Sequence, residues 1–186
     1  MPAKAIIISI GDEILYGQTL DTNSHWISGE LDYLGIRVFR KITIGDTKEE
    51  ILHHFAEAEK LADIVLITGG LGPTSDDLTK PSLVEYFDTQ LIRNEEMLTN
   101  IQNLFAKAGR EVTKLNEAQA DMPASCMPVP NVIGTAPGMW FERKGKVMVS
   151  MPGVPYEMKR MMQETILPKL KEMYVSDGLF HRIIRT

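Results

Sequence analysis

Ile64-Val65-Leu66-Ile67-Thr68-Gly69-Gly70-Leu71-Gly72-Pro73-Thr74 is the stretch that decides the fold. Its first four residues form an unbroken apolar run, mostly β-branched, of the kind found in a strand buried on both faces. That pattern belongs to parallel sheets. Glycines at 69, 70 and 72 then let the chain turn tightly, reach positive φ and bring backbone close to a ligand. Ligands of open α/β sheets sit at the carboxyl ends of strands, near the point where strand order reverses. The stretch therefore proposes a fold class and a place for the site together. It has no Walker lysine and no dinucleotide fingerprint, so its anion-binding capacity rests on backbone N–H groups.

Working outward, Ala5 to Ile10 is a second apolar run, ended by Gly11. Asp21-Thr22-Asn23-Ser24 reads as an N-cap cluster, followed by Trp26, Ile27, Leu31 and Leu34 at helical spacing and Gly35 as the stop. Ile36 to Ile44 reads as another strand. Asp46-Thr47-x-x-Glu50 has the form of a capping box opening the helix of Ile51, Leu52, Phe55, Ala58 and Leu61. Beyond the glycine turn, 78–87 and 95–107 read as helices. Residues 139–150 read as a β-hairpin around Arg143-Lys144-Gly145. Pro155 then opens a helix whose Met158, Met161 and Met162 are core filler. The alternation predicts an α/β domain with a mostly parallel sheet, right-handed crossovers and helices on both faces. Residues 1–175 form the expected domain. Residues 176–186 read either as the start of a following segment or as an edge strand.

The bulk properties narrow the function. Hydrophobic residues make up 44% of the 186 and charged residues 24%. A chain of that size and make-up can bury a core. A net charge of −5 argues against a general nucleic-acid binder, which would present a basic face. Cys126 is the single cysteine, which excludes an intrachain disulfide and fits a reducing, cytoplasmic setting; it reads as an unreactive thiol. No stretch approaches the ~20 apolar residues that span a bilayer. The expected partner is a small molecule.

Asp76 and Asp77 follow the glycine turn. One caps a helix and the other reaches a cation, since Mg²⁺ is often held by one or two carboxylates plus substrate phosphates. Asp12 and Glu13, after the first strand, open on the same sheet edge and suit a metal or a sugar hydroxyl. Asn23 belongs to the polar cluster beside them. Gly134-Thr135-Ala136-Pro137-Gly138 and Met151-Pro152-Gly153-Val154-Pro155 are two further small-residue turns able to bring N–H groups to a ligand.

Taken together, Gly11-Asp12-Glu13-Ile14-Leu15-Tyr16-Gly17-Gln18 with Asp21-Thr22-Asn23, Thr68-Gly69-Gly70-Leu71-Gly72-Pro73-Thr74-x-Asp76-Asp77-Leu78-Thr79, Gly134 to Gly138 and Met151 to Met158 resemble the N-terminal domain of the CinA (competence/damage-inducible protein) family. That domain is similar in turn to the molybdopterin-binding domains of molybdenum-cofactor biosynthesis proteins. The resemblance implies a three-layer α/β/α fold, a homodimer, and a pyrophosphatase acting on ADP-ribose with a divalent metal, Mg²⁺ or Co²⁺. It places Thr68, Gly69, Gly70, Gly72 and Thr74 around the pyrophosphate, Asp76 and Asp77 on the metal, Asp12 and Glu13 in the same cleft, and Gly134, Thr135 and Gly153 at its closure. Two other readings stand beside it. One is a pterin-binding module without turnover. The other is a dimerisation or regulatory domain serving a nicotinamide-nucleotide amidase.

Overall fold

The computed structural model describes residues 3–74 and 77–175. The chain opens with β1 (Lys4–Ile10), a one-turn α1 (Asp12–Leu15), α2 (Thr22–Tyr33), β2 (Arg37–Ile44), α3 (Lys48–Leu61) and β3 (Ile64–Thr68). α4 (Thr79–Tyr86), β4 (Leu91–Arg93), α5 (Glu95–Lys107), α6 (Lys114–Glu117) and β5 (Asp121–Pro123) follow. β6 (Met127–Val129), β7 (Gly138–Arg143), β8 (Lys146–Met151), α7 (Pro155–Met161) and α8 (Leu167–Tyr174) complete the described chain.

Six strands form one sheet in the order β2-β1-β3-β8-β7-β6. β2, β1, β3 and β8 run parallel, β7 pairs antiparallel with β8, and β6 pairs antiparallel with β7. The cause is visible in β1, where every residue after Lys4 is buried. Strand geometry sends alternate side chains to opposite faces. Ala5 and Ile7 pack with Ile27 and Leu31 of α2 and with Met158, Met161 and Met162. Ile6, Ile8 and Ile10 pack with Ile51, Phe55 and Ala58 of α3 and with Leu83 of α4. The two apolar faces require two helical layers, and the three-layer α/β/α arrangement follows. The methionines serve as core filler.

β1 leads through α2 to β2 on one side, and β2 returns through α3 to β3 on the other. The strand order therefore reverses beside β1, and a crevice opens where β1 and β3 end, at Gly11 and Gly69. β7 and β8 form the expected hairpin, widened to residues 138–151. Its turn residues Lys144 and Gly145 both have positive φ, at 53° and 75°. Such a turn matches the twist of the flanking strands.

Three local expectations change. Thr47 caps α3 without a side-chain hydrogen bond, so the capping box is not formed; Glu50 Oε2 instead accepts from the Gly45 amide at 3.3 Å. The helix opened by Pro155 is interrupted by a π-turn at Met162–Ile166. Pro168 accounts for it, because a proline ring has no N–H to give and crowds the carbonyl four residues back. The β4–β5 ribbon, beside α5 and its own small apolar cluster of Met97, Ile101 and Ala120, is an addition that the sequence pattern does not announce. The terminal strand expected within 179–186 lies outside the described residues.

Candidate functional site

The crevice at the carboxyl edge of the sheet has a volume of about 490 Å³. All four sequence motifs reach it. Glu13, Asn23, the Thr68 to Pro73 turn, Asp77, Thr135 and Gly153 line it together.

The floor is the glycine turn. Gly69 and Gly70 hold φ of 109° and 63°. L side chains rarely adopt that region. A Cβ on Gly69 would sit 2.1 Å from the Ile10 carbonyl, and one on Gly70 would sit 2.3 Å from Thr79 Oγ1. The turn is pinned from outside. The Gly69 amide donates to Met151 O at 3.1 Å, the Thr79 amide to Gly70 O at 3.2 Å, and Thr79 Oγ1 to Gly69 O at 3.0 Å. Among the described residues, the amides of Gly70, Leu71 and Gly72 donate to no other group of the chain. Three successive N–H groups without a partner among the described residues, in a turn that lines a cleft, suit an anion.

Asp77 folds back onto this turn. Its Oδ2 accepts from the Thr74 amide at 3.0 Å and from Thr74 Oγ1, and its carboxylate packs over Gly72. It does not cap α4, whose N-cap position is Leu78 with no side-chain bond. Asp77 is therefore a clamp on the loop that also lines the cleft, and Thr74 braces it from behind. Asp76 lies outside the described residues.

The acids gather at the β1–β2 end. The Asp12 amide donates to Asp46 Oδ2 at 3.1 Å, and the Asp46 amide donates to Asp12 Oδ1 at 3.4 Å. The Glu13 carboxylate lies over Gly11. Burial pushes the Asp46 carboxyl above its ordinary range, and the charges of Asp12, Glu13 and Asp77 add to the shift against the Asp12 amide bond. Asp46 is a site residue that the sequence reading does not include. Among the described residues, no three His, Cys, Asp or Glu side chains converge on one point as a ready metal cage.

Asp21 has the opposite electrostatics. Burial alone would raise its pKa. Hydrogen bonds from the Ser24 amide at 2.9 Å and from Ser9 Oγ at 2.7 Å outweigh it and hold the carboxyl below its ordinary range. It is the N-cap of α2, as expected. At the β8 end, Gly153 approaches the glycine turn closely: a Cβ on it would meet Gly69 Cα at 3.4 Å. Gly134 stands behind the lining, covered by the carboxyl of Glu157. Cys126 is far from this chemistry in character, since burial pushes its thiol up to about 12. Such a thiol is unreactive at neutral pH. No helix among the described residues is long and apolar enough to cross a membrane.

Comparison with known proteins agrees with this arrangement. A family model described as "probable molybdopterin binding domain" matches residues 6–172. The CinA-like protein of Cytophaga hutchinsonii is 50% identical over 182 residues, covering 98% of this chain and 44% of that protein. The CinA-like protein of Flavobacterium psychrophilum is 44% identical over 184 residues, again 98% of this chain and 44% of that protein. The chain thus spans less than half the length of these curated relatives. The crystal structure of the protein CinA with unknown function from Thermoplasma acidophilum superposes with a TM-score of 0.81 at 34% identity, covering 90% of this chain and 98% of that one. The tungsten cofactor synthesizing protein MoaB from Pyrococcus furiosus shares the fold at a TM-score of 0.59 and 22% identity, over 92% and 97% of the two chains.

Proposed function

Because the chain belongs to the CinA family and to the molybdopterin-binding-domain family that matches residues 6–172, we propose that its cleft binds and hydrolyses the pyrophosphate of a nucleotide such as ADP-ribose, with a divalent metal. One observation carries this reading: Gly70, Leu71 and Gly72, whose amides have no partner among the described residues, line one cleft with Glu13, Asp46 and Asp77. The amides suit phosphate oxygens, and the carboxylates would repel them without a cation between. A hard divalent ion held by one or two carboxylates and completed by phosphate oxygens suits that donor set, with Asp77 and the neighbouring Asp76 as its protein ligands. When bound, the ion would supply charge neutralisation on the pyrophosphate. The chain's own part is to fix the phosphates on the glycine turn and to place carboxylates where they accept a proton from the attacking water. In the overall reaction one water adds across the P–O–P bond, and AMP and ribose 5-phosphate leave.

Incubation with ADP-ribose and Mg²⁺ or Co²⁺, followed by chromatography for AMP, tests the proposal. AMP formation is the expected result. Absence of AMP together with tight pterin binding would favour the second reading, a pterin-binding module, which the description of the matching family supports. Turnover retained in Asp76→Ala and Asp77→Ala would remove the metal assignment. The third reading, a dimerisation or regulatory domain for an amidase, predicts neither AMP nor pterin binding. A homodimer is expected on gel filtration.

A further inference from the structure

At the end of the cleft away from the acids, one side chain is spent entirely on holding another. Asn131 Nδ2 donates to Glu157 Oε2 at 2.7 Å and to the Ala136 carbonyl at 3.0 Å. Asn131 Oδ1 accepts from the amides of Gly134 at 2.9 Å and Ile133 at 3.3 Å. An asparagine has two donors and one acceptor oxygen, so little capacity remains for a ligand. Glu157 is different. It is 9% exposed and lines the cleft, and its Oε1 has no hydrogen-bond partner among the described residues. That oxygen is not sealed off from solvent. Glycine at 134 makes room for it, since a Cβ there would sit 2.3 Å from the carboxyl carbon.

A nearly buried carboxyl that lines a ligand cleft and keeps one oxygen unpartnered among the described residues suits a neutral polar group. No cationic side chain pairs with Glu157 among the described residues. Burial raises its pKa against the single Asn131 bond. β8 pairs directly with β3, so the loop that opens α7 and carries Glu157 follows a strand only ~4.8 Å from the one that ends in the glycine turn.

We propose that Glu157 is the specificity-determining contact of the cleft, hydrogen-bonding through Oε1 a hydroxyl of the sugar next to the ligand's pyrophosphate, with Asn131 as its positioning residue. This rests on the cleft being a nucleotide pyrophosphate site. Titration calorimetry with ADP-ribose and, separately, with inorganic pyrophosphate, both with Ca²⁺ in place of Mg²⁺ to hold off turnover, tests it on wild type, Glu157→Leu and Glu157→Gln. Loss of a hydrogen bond from a nearly buried group predicts that Glu157→Leu weakens ADP-ribose by about tenfold. Pyrophosphate affinity is expected to stay unchanged. Glu157→Gln, which keeps the shape and both polar ends, is expected to recover most of the ADP-ribose affinity. Unaltered ADP-ribose binding by the leucine variant would overturn the inference. So would equal weakening of both ligands with a lowered melting temperature, the mark of a purely structural brace. If wild type binds neither ligand, the nucleotide reading itself falls and takes this inference with it.

Discussion

Asn23 Nδ2 lies 2.9 Å from Thr68 Oγ1, and the same nitrogen lies 2.8 Å from the Gly153 carbonyl. Thr68 Oγ1 in turn donates to Pro152 O at 3.0 Å. One side chain in the first turn of α2 thus joins the end of β3 to the loop after β8, which are two walls of the cleft. Asn23→Ala leaves the buried Thr68 Oγ1 and the more open Gly153 carbonyl without their shared donor, a loss of about 1–3 kcal/mol. Asn23→Asp should cost at least as much, because it turns acceptors toward acceptors. Urea denaturation of both variants measures this. A cost below about 1 kcal/mol for alanine would mean that water replaces the amide and the brace is dispensable.

Gly69 faces the Ile10 carbonyl across the crevice. At φ of 109°, with a Cβ 2.1 Å from that oxygen, Gly69→Ala adds backbone strain to a direct clash. The expected loss is about 2–4 kcal/mol. Gly153→Ala is the matched control. Its Cβ would meet Gly69 Cα at 3.4 Å, an ordinary contact. Stability should therefore change by less than about 1 kcal/mol. Thermal melts of the pair decide it: similar losses in both would show that crowding of the crevice, not the conformation of Gly69, sets the cost.

On the opposite edge of the molecule, Arg143 Nε and Nη2 grip Glu59 at 2.9 and 2.6 Å. The guanidinium lies 4.9 Å from the ring centres of both Tyr86 and Phe87, and Tyr86 Oη donates to Glu59 Oε2 at 2.6 Å. This cluster ties α3 and α4 to β7. Arg143→Lys keeps the charge and loses the fork and the stacking, for a loss of about 1 kcal/mol at this partly exposed site. Denaturation at low and high salt separates the parts. A cost that vanishes in high salt would reduce the arrangement to screened charge attraction.

The layers and the cleft are legible in the residues because they depend on local pattern. Runs such as Ala5 to Ile10 and Ile64 to Ile67 carry apolar side chains to both faces, and glycines mark the close approaches at 69 and 153. Asp46 escapes such a reading because its neighbours spell a capping box, while the groups that press on its carboxyl come from Asp12, Glu13 and Asp77 across the crevice. Glu157 is hidden for a related reason. An acid in a first helical turn is already explained by the helix dipole. Its bond to Asn131 joins a loop to a helix 26 positions further on, and only folding brings them together. The β4–β5 ribbon has three-residue strands, too short to show a period.

Asp21 makes folding stability depend on pH in the acid range. Hydrogen bonds from Ser24 and Ser9 hold its folded pKa below the ordinary aspartate value despite burial. The folded state therefore binds this proton less tightly than the unfolded chain. Its stabilisation is complete above the ordinary aspartate range and is lost as pH falls through the lowered folded value. Asp21→Asn removes the charge and keeps a capping oxygen, so the variant should be less stable than wild type at pH 7 by about 1 kcal/mol. The gap should narrow toward pH 3, where the wild-type carboxyl begins to protonate in the unfolded chain. Denaturation curves at pH 7, 5 and 3 check the trend. A gap that is constant across that range would show that Asp21 acts through its shape and not its charge.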